Sequence, residues 1–395
     1  MRRSLQALSL QALSLAAVLQ ASAAVAAEPL RIGVLLPTSG IFSAVGAEQV
    51  NGMQIAVEEA GGVVADRPIR LIIEDTEGKP DVGLAKARKL VLSDRVDVLT
   101  GVVSSAVALA VAPYTSAQKV PLVISNASAN AITGEKCDRF VLRVAPSSAQ
   151  VARPMGVYLA KLGVRNVFIM ASDFVAPHEY VAAFKDGYLA GGGTIAGEVY
   201  PPFNRTQDYG PYIAQARAAN PGGIFAVFFA GEAVLFTKQY HSFGMKSIPL
   251  YSGIGLTPQM LHASQGEAAL DVISSVNYTP DLKTAENAAY SAAYVKKFGT
   301  LPAEFSVMGY EAVRLIIEGV KARNGDTADR AALVGALEKA SFTGPRGPIR
   351  IDPANHGATQ NFYIVKTVQR EGRIGFETLE TVPNVVDPVK GCVFK

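Results

Sequence analysis

The chain has no tryptophan, two cysteines and four histidines in 395 residues, and its charges nearly balance. Each shortage removes a class of function. His178, His241, His262 and His356 stand apart, with no HxH or HxxxH pair among them. Neither Cys137 nor Cys392 has a second Cys or a His at ligand spacing, so no metal centre is expected. The four histidines read as solvated or helix-surface residues. There is no GxSxG elbow, no GxxxxGK[ST] phosphate loop and no GxGxxG after the first strand, where Gly33 and Gly40 have the wrong spacing. Gly101-Val102-Val103-Ser104-Ser105 lacks the flanking glycines of a nucleophile turn. Carboxylates such as Asp75 and Asp173 are not brought together by any pattern. An enzyme is therefore not expected, and no cofactor is implied. With 37 basic and 34 acidic residues, the net charge of +3 argues against nucleic acid as a partner.

Long apolar runs are absent except at the N-terminus. Arg2 and Arg3 precede a run from Leu5 to Val25 that only small and amide residues interrupt, and Val25-Ala26-Ala27 offers small side chains for cleavage. This is an export signal pattern over residues 1–27, with maturation at Glu28 and a periplasmic destination. The Ala, Ser and Gln content disfavours a membrane anchor. No cysteine follows for lipid attachment, and Arg2-Arg3 leaves a twin-arginine route open. Loss of these two arginines lowers the net charge from +3 to +1. In an exported chain Cys137 and Cys392 are expected to form a disulfide that ties down the C-terminal tail; the alternative is two unpaired thiols.

What is present is alternation. Residues are 49% hydrophobic and 18% charged, a globular composition long enough for two domains. Leu30–Leu36, Ile69–Asp75, Val96–Thr100 and Pro121–Ser125 read as strands. Helical patterns lie between them over Asn51–Ala60, from Asp81 as cap through Ser93, and from Ser104 or Ser105 to Gln118. A second series follows, with strands at Asn166–Met170, Thr194–Val199, Ile224–Phe229 and Ile248–Tyr251. Its helices run over Glu179–Leu189, Tyr209–Asn220 with Asp208 as cap, and Ala233–Phe243. Long helical patterns at Ala285–Phe298 and Ser306–Ala322 come next, then short strands near Ile349–Ile351 and Phe362–Val368. The pattern predicts an α/β chain with two open parallel sheets, each covered by helices. Crossing strands near Phe140–Val144 and Val272–Tyr278 would join them.

In such sheets ligands sit beyond the carboxyl ends of the strands. Two adjacent strand ends here carry small hydroxyls: Ser104-Ser105, which opens a helix, and the stretch VISNASAN, Val123 to Asn130. A helix N-terminus exposes free N–H groups and the positive end of its dipole, an anion site without a cationic side chain. The Ser105 hydroxyl, the Ala127 N–H and the Ser128 hydroxyl could together grip a carboxylate. Caps and turns alone would also account for these residues.

Taken in order behind an export signal, several segments resemble the branched-chain amino-acid (Leu/Ile/Val) binding family of periplasmic solute-binding proteins of ABC transporters. They are Arg31 to Gly40, Asn51 to Glu59, Ile72 to Thr76, the Gly101–Ser105 loop, VISNASAN and Gly309 to Val313. The resemblance spans the mature chain. It implies the type I periplasmic binding fold, two Rossmann-like lobes joined by three crossover strands. Lobe I would take 28–147 and 278–360; lobe II would take 148–277 and 361–395, with the tail able to return to the hinge. It implies a monomer that closes on its ligand and is read by a membrane permease. The family's carboxylate clamp falls on Ser105, the Ala127 backbone and the residue near Ser128 or Ala129. Its aromatic contact from the late helical region falls on Phe305.

Departures from the family bear on the ligand. Amino-acid binders hold the ammonium with an acid after the strand that here is Pro249-Leu250-Tyr251, yet Ser252-Gly253-Ile254-Gly255 follows it. A buried ammonium without a counter-charge is costly. The family's D-x-x-Y-G pattern reads Asp173-Phe174-Val175-Ala176-Pro177, with Ala in place of Tyr. A carboxylate without an α-amino group is expected, an aromatic acid of benzoate or phenylpropanoid type, walled by Phe42, Phe174, Tyr251, Ile254 and Phe305. Glu232 could restore the missing acid and with it an amino-acid ligand, and Arg205 could add a cation from what is equally a surface loop. A ligand-sensing regulator on the same fold, of the amide-sensor type, is the remaining alternative.

Overall fold

The computed structural model describes residues 27–370 and 372–394; the expected export signal therefore lies, but for Ala27, outside the described residues. The first sheet contains β1 (Leu30–Leu36), β2 (Val63–Val64), β3 (Arg67–Asp75), β4 (Val98–Gly101), β5 (Leu122–Ile124) and β6 (Val141–Arg143). Its order is β2-β3-β1-β4-β5-β6, and only the short β2 is antiparallel to its neighbour. β1 pairs in register with β3 and β4, Ile32 lying opposite both Leu71 and Val98. Nearly every residue of β1 is buried, as expected for a central parallel strand covered on both faces. α1 (Ser43–Glu59), α2 (Pro80–Leu92) and α3 (Ser105–Ala117) connect these strands. Pro80 takes the first helical position of α2, so Asp81 lies inside the first turn and Lys79, not Asp81, is the cap.

The second lobe follows with α4 (Ser148–Lys161), β7 (Val167–Ala171), α5 (Val175–Ala190), β8 (Ile195–Val199), α6 (Gly210–Ala218), β9 (Gly223–Val227), α7 (Ala230–Ser242), β10 (Leu250–Ser252), α8 (His262–Gln265) and β11 (Ile273–Val276). The chain then returns through α9 (Ala285–Phe298), α10 (Glu304–Ala322) and α11 (Arg330–Lys339) to β12 (Ser341–Gly344), β13 (Gly347–Ile351), β14 (Ala358–Arg370) and β15 (Arg373–Val385). Strands β8-β7-β9-β10-β11 are parallel, but β14 runs antiparallel to β11 and β15 antiparallel to β14. The expectation of two parallel sheets thus fails for the second, which is mixed. A hairpin of two 13-residue strands closes its edge where short strands were expected.

The chain leaves the first sheet after β6 and returns to the helices that cover it after β11. The segment 352–357, which joins β13 to β14, runs beside the first of these passages, where the Arg143 N–H donates to the His356 carbonyl at 2.9 Å. Here the hinge is locked by two fully buried ion pairs. Arg143 meets Asp387 at 2.7 Å and Arg346 meets Glu311 at 2.5 Å. Thr133 and Ser147 donate to the same Asp387 carboxylate at 2.6 and 2.8 Å, and Arg346 donates to the Val144 carbonyl at 2.9 Å. Residues beyond β15 carry Asp387 back to the first lobe, where Cys392 is bonded to Cys137.

Two histidines correct the expectation of solvated rings. His262 and His356 are buried, and burial lowers the pKa of both. The backbone carbonyls of Thr257 and Ile374 lie 3.1 and 3.2 Å from the His262 ring nitrogens, and that of Val141 lies 3.2 Å from His356 Nδ1.

Removing one member of a fully buried ion pair leaves the other charge uncompensated. Asp387→Ala is expected to lower unfolding stability by about 3–5 kcal/mol in denaturant titration, a far larger loss than Lys161→Ala, which breaks an exposed pair with Glu380.

Candidate functional site

The carboxyl ends of β4 and β5 form the first wall. After Gly101 the chain turns through Val102, whose φ of 70° is strained for a β-branched residue. Two hydrogen bonds hold it there: its N–H donates to the Leu35 carbonyl at 2.7 Å and its carbonyl accepts the Ala127 N–H at 3.0 Å. This corrects one expectation. The Ala127 N–H is engaged within the loop and is not free for a ligand. The Ala129 N–H is engaged too, donating to Ser105 Oγ at 3.1 Å. Because Ser105 Oγ accepts that bond, its own proton is left to donate. Ser104 occupies the cap position of α3 without a side-chain cap bond, leaving the N–H groups of the first turn open. Among the described residues the Ser128 N–H meets no backbone acceptor. The donors available are therefore Ser105 Oγ, the Ser128 N–H and the N-terminal turn of α3.

The far end of this loop is tied to the second lobe. The Ser128 carbonyl accepts the N–H and hydroxyl of Ser148 at 2.8 and 3.0 Å, and the Asn130 N–H donates to both Glu179 oxygens at 3.0 and 3.1 Å. Burial raises the Glu179 pKa. Ser125 lies deeper and donates to Gln49 on α1.

Aromatic rings form a second wall at the carboxyl ends of β7, β8 and β9. Phe174 lies 4.4 Å from Phe203 and 6.0 Å from Phe229, centroid to centroid, and Tyr180 stands edge-on to Phe229 at 5.8 Å. Of these, sequence reasoning singled out Phe174 alone. Phe229 closes the strand expected over Ile224–Phe229 and Phe203 follows the one expected over Thr194–Val199, so the strand-end rule that locates the serines also reaches them. The 252–255 turn packs on the same rings, since a Cβ on Gly255 would strike Phe229. Ile254 in that turn is buried.

Tyr251 is not part of this wall. Its ring packs over Gly223, at the amino end of β9, inside the core beneath the sheet. Residue alternation along β10 turns it toward α4 and α5, away from the strand ends. Phe42 and Phe305 are half-buried against the core of the first lobe, Phe42 beside Gly78 and Phe305 in the first turn of α10. Glu232 lies in the first turn of α7, where one oxygen accepts the Asn204 N–H at 2.9 Å and the other is buried without a partner. Arg205 is exposed in a turn on Pro202. Asp75 and Asp173 do not pair: Asp75 accepts from Thr38 and Ser39, and Asp173 meets His178 at 2.8 Å.

One acid had no sequence signal. Glu304, the first residue of α10, is buried, and burial pushes its pKa up to about 7.

Residues 29–373 match the family model described as periplasmic binding protein. Leu/Ile/Val-binding protein homolog 6 of Brucella melitensis is 28% identical over 376 residues, covering 93% of this chain and 95% of that one. A solute-binding protein of an ABC transporter from R. palustris, solved with benzoate, is 31% identical with a TM-score of 0.84, covering 92% and 99% of the two chains. Another from Rhodopseudomonas palustris BisB5, solved with 3,4-dihydroxybenzoic acid, is 30% identical with a TM-score of 0.86, covering 91% and 99%. Among the described residues no helix is long and apolar enough to cross a membrane.

If Ser105 Oγ donates to a charged acceptor, its loss removes one charge-assisted bond. Ser105→Ala is expected to weaken a carboxylate ligand by about 1.5–3 kcal/mol in calorimetry, with a small fall in the thermal midpoint of the free protein because the Ala129 N–H loses its acceptor.

Proposed function

Since the chain belongs to the periplasmic binding protein family and is the substrate-binding component of an ABC transporter, we propose that it captures an aromatic carboxylate of benzoate type for import. Neutral donors at the strand ends of the first sheet and rings at the strand ends of the second carry this reading. Ser105 Oγ, the Ser128 N–H and the α3 N-terminus suit a carboxylate head, and Phe174, Phe203 and Phe229 suit a flat apolar body. Each edge-to-face or offset ring contact contributes about 0.5–1.5 kcal/mol beyond area burial. The benzoate and dihydroxybenzoate complexes of the two R. palustris relatives support the same ligand class. The exported protein would work in the periplasm as a monomer, close its lobes on the acid, and present the closed form to a membrane permease. Ligand contacts made by both lobes stabilise that form.

A second reading is an amino-acid ligand. The Leu/Ile/Val-binding name of the Brucella relative supports it, and the unpartnered oxygen of Glu232 could take an ammonium. A thermal-shift series separates the two. Benzoate at 100 times its Kd should stabilise the protein by about 2.7 kcal/mol, visible as a raised melting temperature, while leucine and simple amides leave it unmoved. A shift with leucine and none with benzoate would overturn the aromatic-acid reading; a shift with amides alone would favour the sensor.

A further inference from the structure

The serine loop of the first lobe and the ring cluster of the second are linked through α5. Asn130, two residues past Ser128, is held from two helices of the second lobe. Its N–H donates to both Glu179 oxygens at 3.0 and 3.1 Å, and its Oδ1 accepts the Ala149 N–H at 3.1 Å. Glu179 lies on α5, whose cap is Phe174, and Tyr180 beside it stands edge-on to Phe229. One helix thus carries a ring of the cluster at its start and, about 7–8 Å farther along its axis, the carboxylate that grips the loop bearing Ser128.

The two anchors of Asn130 differ in kind. Ser148 and Ala149 open α4 directly after the passage from β6, so the chain itself keeps them near the loop. Glu179 has no such tether, and it meets the loop through hydrogen bonds. Gly156 and Gly187 let α4 and α5 touch backbone to backbone, because a Cβ on Gly156 would strike the Phe184 carbonyl and one on Gly187 the Arg153 carbonyl. Helices packed this closely move as one piece with the sheet they cover. A rotation of the second lobe away from the first therefore carries Glu179 off Asn130. Both residues are half-buried, so water replaces the lost partner on each side. The Arg143 guanidinium, whose charge acts on Glu179, is already paired with Asp387, which leaves the amide as the neighbour that grips both carboxylate oxygens. Hydrogen bonds of an ionised acceptor are the stronger kind.

We infer that Glu179 is a positioning residue that latches the serine loop to α5, holding donors and rings together in the closed form so that ligand release requires the Glu179–Asn130 bond to break. The inference rests on the reading of the serine loop and the ring cluster as one ligand site, and not on which acid is bound. Glu179 itself does not touch the ligand. Its contribution is to the lifetime of the closed form, since an interaction made in one of two states shifts the balance between them by its own differential strength.

Stopped-flow binding of benzoate and of leucine to the wild type, Glu179→Ala and Glu179→Gln tests this, with the thermal midpoint of each free protein as control. Glu179→Ala should release the bound probe about tenfold or more faster, with little change in association rate. Glu179→Gln keeps the volume and one neutral acceptor and should fall between the two. Release from Glu179→Ala at the wild-type rate, whatever its thermal midpoint, would show a structural contact only and overturn the latch. Should the alanine variant not fold, wild-type release from Glu179→Gln would overturn it equally. Binding of leucine and not benzoate would overturn the aromatic-acid reading, and the latch is then judged on leucine release. Failure of both probes to bind the wild type would overturn both.

Discussion

Two guanidinium groups buried at the hinge, each already neutralised, set the terms for the rest of the molecule. Arg143 and Arg346 are fully enclosed, and Asp387 and Glu311 take up their charge. Arg143 lies on the first crossover and is tied to the returning tail; Arg346 reaches Val144, at the exit of that same crossover. Buried pairs of this kind add little net stability over apolar packing but penalise any arrangement that separates them. Their effect here is register: the passages between the lobes are held in one alignment, with the disulfide closing the tail over them. Neither guanidinium is thereby left free for a ligand.

On the proposed reading, affinity for an anion then comes from dipoles. The α3 N-terminus, the Ser105 hydroxyl and the Ser128 N–H are the donors left over, because the neighbouring amides are already engaged. Ala127 is bonded to the strained Val102 carbonyl, and Ala129 to Ser105. Val102 keeps its left-handed backbone because both its polar groups are bonded, one to β1 and one to the serine loop. This one residue thus keeps the Ala127 amide engaged within the loop. The rings at the strand ends of the second sheet give shape without charge.

Much of this was legible in the residues. β1 shows itself as an uninterrupted apolar run, and the serine loops as hydroxyls at strand ends; both sit where periodicity and the strand-end rule place them. The disulfide followed from two cysteines in an exported chain. What failed did so for physical reasons. The β14–β15 hairpin depends on pairing to β11, a contact nearly a hundred residues away that no local pattern reports. Tyr251 was assigned to the ligand because it ends a strand, but the pleat turns it into the core. His262 and His356 look like surface residues until tertiary packing encloses them. Ala127 was credited with a free amide because the partner of a backbone N–H cannot be read from side chains. Glu304 reads as an ordinary first-turn acid, and its burial appears only when α10 is packed against the rest of the fold.

The central claim is that a negative head group is held by uncharged donors. Calorimetry with one aromatic acid and its methyl ester examines this directly, since the ring and its contacts stay the same while the charge disappears. The neutral clamp predicts that the ester binds at least about a hundredfold more weakly, the loss of two or more charge-assisted bonds. Equal affinity for acid and ester would contradict it.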